Sequence, residues 1–258
     1  MARKNSNTEA WSHMTSDNIQ KLKVEQLKYL KRTMAVPTST PNCFVYLELG
    51  VLPIDSEIDL RQLNFLHHIL NLEHDDPVRR VYHELRKFAH EKNWSNNIHD
   101  TLNKYTINME DEEIRVLSRT EWKELIKKKV YARTLDILNA ECGRGSKTAK
   151  LFYEEFKCQE YVTALSPREA RALFRVRSRT VLCKKNQKSS WTGDLFCRFG
   201  CQVEESQEHV INCPAIHGND ISKVDTSFIC KKFDIEEYKF QISDIARRVV
   251  KAREAFEE

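Results

Sequence analysis

Apolar side chains recur along this chain at intervals of three and four residues, which is the spacing of one helix face. The first such run begins at Asp17, and basic residues occupy the opposite face. Pro37 and Pro41 follow and predict an extended joint, which leads into a short apolar segment at 44–52. No sustained alternation of apolar and polar positions appears, so the pattern predicts helices rather than strands.

Several helix starts are marked by residues that typically cap a first turn. They are Asp55 or Ser56, Asp76 with Pro77, Ser118 with Glu121, and Ser166 with Glu169. The first two predict helices over 57–72 and 77–91, and a final charged helix is expected after Asp234. The fold class predicted is all-α, a bundle-like array of helices joined by short loops.

Composition supports a helix-rich protein with room for one large domain or two modest ones. The chain has 258 residues, of which 40% are hydrophobic and 31% charged, with six glycines and six prolines. No apolar run approaches the roughly 20 residues that span a bilayer, so we expect no membrane partner. The N-terminus lacks an apolar signal core, which predicts an intracellular protein of the nucleus or cytoplasm.

One compact group of metal-ligand residues lies near the C-terminus. Cys197, Cys201, His209 and Cys213 are separated by three, seven and three residues. Three thiolates and one imidazole can close a tetrahedral shell around one structural Zn²⁺, and a closed shell leaves no position for catalysis. The pattern therefore predicts a small Cys-Cys-His-Cys zinc knuckle and favours a binding module over an enzyme, with no small-molecule substrate.

The zinc interpretation has alternatives. The chain has eight cysteines, and chance alone can bring some of so many close together in sequence. His217 and Cys230 are possible substitute ligands. The cysteines outside the group are scattered, and we expect them to be free, as in a reducing compartment.

Basic residues are concentrated just before the metal-ligand group. The segment 168–188 contains eight basic residues and one acidic residue. Its net charge is therefore +7, compared with +4 for the whole chain. The eight are Arg168, Arg171, Arg175, Arg177, Arg179, Lys184, Lys185 and Lys188. Because 168, 171, 175 and 179 lie on one helix face, they predict contact with the phosphates of RNA or DNA. The alternative is a solvated face paired with acids elsewhere.

Two aromatic residues of the knuckle also allow two interpretations. Phe196 and Phe199 either stack on bases, as aromatic groups of single-strand binders do, or pack the small core of the knuckle.

Three weaker motifs have structural explanations. Asp75-Asp76 resembles a magnesium-binding pair, but Pro77 follows, which predicts a helix cap. The segment 143–148 lacks the spacing of a phosphate-binding loop and is interpreted as a connection between helices. His67-His68 has no carboxylate at metal-binding spacing.

Several segments, in this order, resemble the C-terminal part of non-LTR retrotransposon reverse transcriptases. Over about 19–217 they are 26–32, 36–42, 46–54, 61–69, 118–126 and 173–179, followed by the knuckle. The resemblance implies a thumb-like helical region, a helical linker and a knuckle that hold nucleic acid. It assigns Cys197, Cys201, His209 and Cys213 to zinc and makes Arg175, Arg177 and Arg179 candidates for phosphate contact.

The pattern along the chain and the resemblance together predict a division of the chain. We expect a disordered N-terminus at 1–15, a thumb-like region at 16–110 and a linker with the arginine-rich helix at 111–190. The knuckle follows at 191–217, and a tail with a helix at 218–258. The family's palm aspartates and a recognisable endonuclease motif are missing. The expected function is thus a non-catalytic, zinc-stabilised, nucleic-acid-binding fragment.

Two other functional hypotheses remain open. One is a helical protein–protein interaction module with a purely structural zinc site, in which the helices at 57–72 and 77–91 expose a groove. The other is a transposon remnant without a function.

Overall fold

The computed structural model describes residues 15–88, 93–143, 153–186, 193–219, 222–230 and 235–257, and these are mainly α-helical. The helices are α1 Ser16–Thr33, α2 Asn42–Leu49, α3 Ile54–Leu70, α4 Pro77–Arg86, α5 Trp94–Lys104, α6 Asp111–Val116, α7 Arg119–Gly143, α8 Glu160–Ala164, α9 Pro167–Arg177, α10 Gln207–Asn212, α11 Pro214–His217 and α12 Ile235–Glu257. A 3₁₀ turn covers Ser227–Cys230. Within the described ranges, extended pairing is limited to two isolated bridges, so the all-α prediction is confirmed.

Most predicted helix starts are confirmed by their capping contacts. The side chain of Asp76 accepts a hydrogen bond from the backbone N–H of Val78 at 2.8 Å. Reciprocal side-chain and backbone bonds join Ser118 to Glu121, and the same pattern opens α9. The charged helix expected after Asp234 is α12. The segments 1–14 and 144–152 lie outside the described residues, and with them most of the predicted disordered N-terminus and of the 143–148 connection.

The predicted cap of α3 is wrong. The helix begins at Ile54, before Asp55 and Ser56, and no side chain of its own caps it. Gln26 of α1 replaces the cap, because its Oε1 accepts from the Ile54 N–H at 3.0 Å. A residue distant in sequence thus satisfies the free backbone N–H at the start of α3. The sequence around α3 does not show this contact.

The chain forms two compact units that are not continuous in sequence. One comprises Met1–Gln26 with Leu52–Ile137, and the other Leu27–Val51 with Leu138–Glu258. The boundaries therefore fall inside α1 and α7, and the stretch 27–51 joins the C-terminal residues. The predicted thumb-like region at 16–110 is divided between the two units.

The first unit packs α3 against α5 and α6 around apolar side chains. Trp122 of α7 is fully buried, and its indole N–H donates to the Leu63 carbonyl at 3.0 Å. Its ring stacks on His67 with centroids 6.0 Å apart. Tyr82 donates to the carboxylate of the buried Asp111. These polar contacts satisfy the buried donors and acceptors of an otherwise apolar core.

The second unit is built on α9, which packs against α12 and α8. Phe174 of α9 meets Phe44 of α2 edge to face at 5.1 Å, and both rings are fully buried. Four residues after Phe44, Glu48 is also fully buried and forms a salt bridge with Arg177 of α9 at 2.7 Å. These two contacts explain why the stretch 27–51 belongs to this unit.

Gly50 allows the close approach of two backbone segments in the second unit. It ends α2 in the left-handed region, with φ of +57°. A Cβ at this position would lie 2.1 Å from the backbone nitrogen of Cys158. Only glycine combines this backbone conformation with the space that the neighbouring segment leaves.

Cys43 and Cys142 form a disulfide in the second unit, with Cα atoms 5.9 Å apart. The expectation that the cysteines outside the metal-ligand group are free is wrong for this pair. Across the described helices, none has the length and apolar character that a membrane span requires.

Candidate metal centre and arginine groove

The first two candidate ligands lie on a short hairpin. Phe196 and Glu204 form an antiparallel bridge, and the Cys197 N–H donates to the Val203 carbonyl at 2.8 Å. Gly200 donates to the Cys197 carbonyl at 3.0 Å and has a φ of +82°, which is a glycine conformation. The turn therefore accommodates three residues between Cys197 and Cys201.

The other two candidate ligands lie at either end of α10. Ser206 caps this helix, and its hydroxyl accepts from the His209 N–H at 3.1 Å. Cys213 follows the last residue of α10, and Pro214 begins α11. The capping residue thus places His209 in the first turn, facing the same point as the hairpin cysteines.

The four side chains converge, as the spacing predicts. Their ligand atoms all lie within 4.8 Å of one another. The Sγ of Cys213 is 3.5 Å from that of Cys201 and 3.8 Å from that of Cys197. A tetrahedral ion with metal–sulfur distances of about 2.3 Å places its sulfurs about 3.8 Å apart, so the sulfur positions fit one such ion.

Burial favours the neutral forms of Cys213 and His209. Burial raises the pKa of Cys213 to about 12, and the neighbouring thiols of Cys201 and Cys197 raise it too. Burial also lowers the pKa of His209, which keeps the imidazole neutral as a ligand requires. Its Nε2 is buried without a hydrogen-bond partner. A bound metal ion would offset the cost of forming thiolates here.

A buried ion pair holds the hairpin. Glu205 is fully buried, and its carboxylate accepts from Arg198 Nε at 3.0 Å and Nη2 at 2.7 Å. It also accepts from the Lys184 N–H at 2.9 Å. Burial raises the pKa of Glu205, but the Arg198 and backbone bonds outweigh it, and the net shift is downward. The hairpin geometry that presents Cys197 and Cys201 depends on this charged contact.

Helix α12 supports the other side of the centre. The buried Arg248 donates to the Asn212 side chain at 3.2 Å and to the Ser222 carbonyl at 3.1 Å. It also forms a salt bridge with Asp244 at 2.7 Å. These contacts tie the end of α10, next to Cys213, to the long C-terminal helix.

The sequence also offered His217 and Cys230 as substitute ligands. His217 hydrogen-bonds to the Val210 carbonyl at 3.0 Å and lies outside the convergent set. The side chain of Cys230 lies outside the described part of the chain.

Three predicted arginines line an open groove in the same unit. Arg168, Arg171 and Arg175 of α9 border a cavity of about 680 Å³ with the exposed Arg253 of α12. The Nε atoms of Arg171 and Arg175 donate to the Thr33 and Ala35 carbonyls at 2.9 and 2.8 Å. These bonds hold the guanidinium groups along the groove. We call this cavity the arginine groove.

Arg177 does not belong to this surface. Its guanidinium is buried and grips the Glu48 carboxylate through Nε at 2.9 Å and Nη2 at 2.7 Å. Burial works to lower the pKa of Arg177, but the charge of Glu48 outweighs it and raises that pKa. The expected phosphate contact of Arg177 is therefore corrected to a structural role, because α9 points this position into the core.

The remaining basic residues beyond α9 differ in their surroundings. Arg179 forms an ion pair with Glu208, and Lys185 pairs with Glu204 at 2.7 Å on the surface. Lys184 is buried, and its ammonium reaches Asp194 at 3.2 Å, so its expected phosphate contact is corrected too. Lys188 lies outside the described residues. The alternative of pairing with acids elsewhere thus holds for this part of the basic segment.

The two phenylalanines of the knuckle differ in their surroundings. Phe196 is 56% exposed, whereas Phe199 stacks on Phe256 of α12 with centroids 5.6 Å apart. Packing therefore accounts for Phe199, and Phe196 remains available for contact with a ligand.

Two motifs set aside from the sequence have the expected structural settings. Asp76 is a helix cap, and Asp75 is exposed beside it. His67 is buried and hydrogen-bonds to the Leu117 carbonyl at 2.9 Å, so it serves the core.

Sequence reasoning missed Glu205, Arg248 and Arg253, which complete the centre and the groove. Each is one charged residue among many in its segment. These three residues differ from their charged neighbours only in what they contact in the folded chain. The local sequence does not show those contacts.

Comparisons of this chain with protein-family models, with curated proteins and with solved structures find no match.

Proposed function

We propose that this protein is a zinc-stabilised nucleic-acid-binding module. The observation that carries the proposal is the arginine groove, in the same unit as the convergent Cys₃His set. Arg168, Arg171, Arg175 and Arg253 supply four guanidinium groups, and among the described residues that line the groove the acid is Glu254, which forms an ion pair with Arg168 at 3.4 Å. A surplus of guanidinium groups along an open groove favours an extended polyanion.

Zinc is the ion that this donor set favours. Three sulfurs and one imidazole at tetrahedral spacing are typical of structural zinc, whereas magnesium and calcium prefer oxygen. Cys197, Cys201, His209 and Cys213 would hold the ion. Its role would be to fix the hairpin against α10, because small metal sites contribute their binding energy to folding.

The order of sequence segments supports a more specific proposal. We infer that the chain corresponds to the C-terminal region of a non-LTR retrotransposon reverse transcriptase and that it acts by binding rather than by catalysis. This step rests on the resemblance of the segments between 19 and 217 and on the missing palm aspartates.

The salt dependence of binding tests the proposal. Protein loaded with zinc should bind RNA or DNA oligonucleotides, and log Kd should rise linearly with log salt concentration because phosphate contacts release counterions. Arg171→Gln should weaken binding to all sequences and lower the salt slope by about 0.7 to 0.9. Fluorescence anisotropy at several salt concentrations measures both quantities.

A second arginine substitution provides the control. Arg247 lies on α12, its side chain is 76% exposed, and it is not among the residues that line the groove. Arg247→Gln removes the same charge and should leave the slope unchanged. Equal effects of the two substitutions would mean that binding follows net charge alone. No affinity at low salt for any oligonucleotide would refute the proposed function.

A stripe on α4 favours a second candidate function, protein–protein interaction. Val78 and Val81 of α4 are 48% and 58% exposed, and Phe88, two residues beyond the end of the helix, is 53% exposed. Exposed apolar stripes of this kind often mark contact surfaces. A photocrosslinker at position 81 should capture a protein in cells, and one at position 247 should not. Equal labelling from both positions would argue against the stripe.

A further inference from the structure

A smaller apolar cavity adjoins the arginine groove. Its volume is about 350 Å³. Its apolar lining comprises Val36, Pro37, Val181, Leu182, Ala252 and Phe256. It shares Ala35, Arg175, Val249 and Arg253 with the groove, so that guanidinium groups border an apolar space. We call this space the apolar cleft.

We propose that the apolar cleft receives one unpaired base of a single-stranded nucleic acid, whose flanking phosphates lie on Arg175 and Arg253. This inference rests on the proposed function and adds to it the form of nucleic acid and the place of a base. The two adjoining cavities match the two parts of a nucleotide, an apolar ring and a charged phosphate.

The size of the cleft favours a single ring system. Ligand pockets commonly measure about 300 to 1,000 Å³, and the cleft lies near the lower limit at about 350 Å³. In a duplex the bases are stacked and paired, and they reach such a pocket only after the strand opens. Bases of a single strand are already available.

The metal-ligand hairpin holds one wall of the cleft. Phe256 stacks on Phe199, and the guanidinium carbon of Arg198 lies 4.1 Å from the centre of the Phe256 ring. Both contacts come from the turn between Cys197 and Cys201. The wall is thereby fixed before a ligand arrives, which lowers the ordering cost of binding.

An apolar peptide side chain is the competing occupant. It would use the same lining but would gain nothing from Arg175 and Arg253 at the border. Charge complementarity therefore favours a base that is linked to phosphates.

Oligonucleotides with and without bases test the inference. The probes are a 12-nucleotide single strand, the same backbone with abasic sites throughout, and the matching duplex. We expect the single strand to bind at least about fivefold more tightly than the abasic strand, since base contacts with apolar and aromatic groups are worth that much. The duplex should bind more weakly than the single strand.

Substitution at the cleft supplies the second measurement. Leu182 is 38% exposed, so Leu182→Ser removes apolar lining without changing charge or a buried core position. It should reduce the difference between the normal and abasic strands severalfold and leave the abasic affinity unchanged. Val116, 85% exposed on α6, provides the control Val116→Ser, which should keep the difference.

The outcomes separate the two proposals. Equal affinities for the normal and abasic strands would overturn base insertion while nucleic-acid binding stands. If folded Leu182→Ser keeps the difference in affinity between the normal and abasic strands, base insertion is also overturned. The cleft would then bind another occupant, such as a peptide. No salt-dependent binding of any probe would overturn the proposed function itself.

Discussion

Replacing Arg177 by methionine should destabilise the second unit without weakening the phosphate binding that we propose for its surface. The substitution keeps the length and apolar stem of the side chain and removes the guanidinium. Glu48 then stays fully buried with the hydroxyls of Tyr153 and Tyr161 as its remaining donors. The Ile229 carbonyl, which accepts from Arg177 Nη1 at 2.5 Å, loses that donor.

The magnitude follows from the burial of both partners. The side chain of Arg177 is 5% exposed and that of Glu48 is 0% exposed, so water cannot replace the missing charge. Removing one partner of such a pair costs about 3 to 5 kcal/mol. For a unit of about 150 residues, a loss of this size lowers the melting temperature by about 10 °C.

Urea denaturation with saturating zinc, followed by circular dichroism, measures the stability loss. Salt-dependent oligonucleotide binding of the same protein measures the second property. We expect a lower urea midpoint with an unchanged salt slope for Arg177→Met, and the opposite pattern for Arg171→Gln. Glu48→Gln combined with Arg177→Met should recover part of the stability, because the uncompensated buried charge is gone.

Two results would contradict this reasoning. A stability loss below about 1 kcal/mol for Arg177→Met would mean that water reaches Glu48, contrary to its burial. A reduced salt slope with unchanged stability would mean that Arg177 contacts phosphates at the surface and does not stabilise the core.

Three further predictions concern the metal, a glycine and a histidine. His209→Ala should lower the zinc content from about one ion per chain, measured by elemental analysis, and should loosen the hairpin while most helical ellipticity persists. Gly50→Ala should cost about 2 kcal/mol or more in urea, because its Cβ would collide with the Cys158 backbone at a φ of +57°. Burial lowers the pKa of His217, so its protonated form is less favourable in the folded than in the unfolded chain. The unfolding free energy should therefore decrease as pH falls below the unfolded pKa of about 6.5, and His217→Gln should flatten that dependence.

Each of these predictions has a control and a result that contradicts it. The exposed His68 should tolerate alanine without loss of zinc. Gly218 has a φ of +100°, but open space surrounds the position that a Cβ would take, so Gly218→Ala should cost less than Gly50→Ala. Full zinc content in His209→Ala, equal costs for the two glycines, or an unchanged pH profile in His217→Gln would each refute the corresponding reasoning.

The sequence by itself determined the helical class, several helix starts and the candidate metal ligands. Helical periodicity and capping pairs such as Ser166 with Glu169 depend on residues a few positions apart, and they predicted the class and the starts of α1, α4, α7, α9 and α12. The four ligands lie within 17 residues of one another, so a hairpin and one short helix suffice to bring them together. Local signals are enough where the interacting groups are local.

Only the tertiary structure decided which charges face outward. Arg175 and Arg177 are two positions apart, yet one borders the groove and the other lies in the core, because Glu48 on α2 is buried against α9. Glu48 and Arg177 are 129 residues apart in sequence. Arg253 is more than 70 residues from the α9 arginines that line the same groove. Contacts over such distances depend on packing, which local periodicity does not encode.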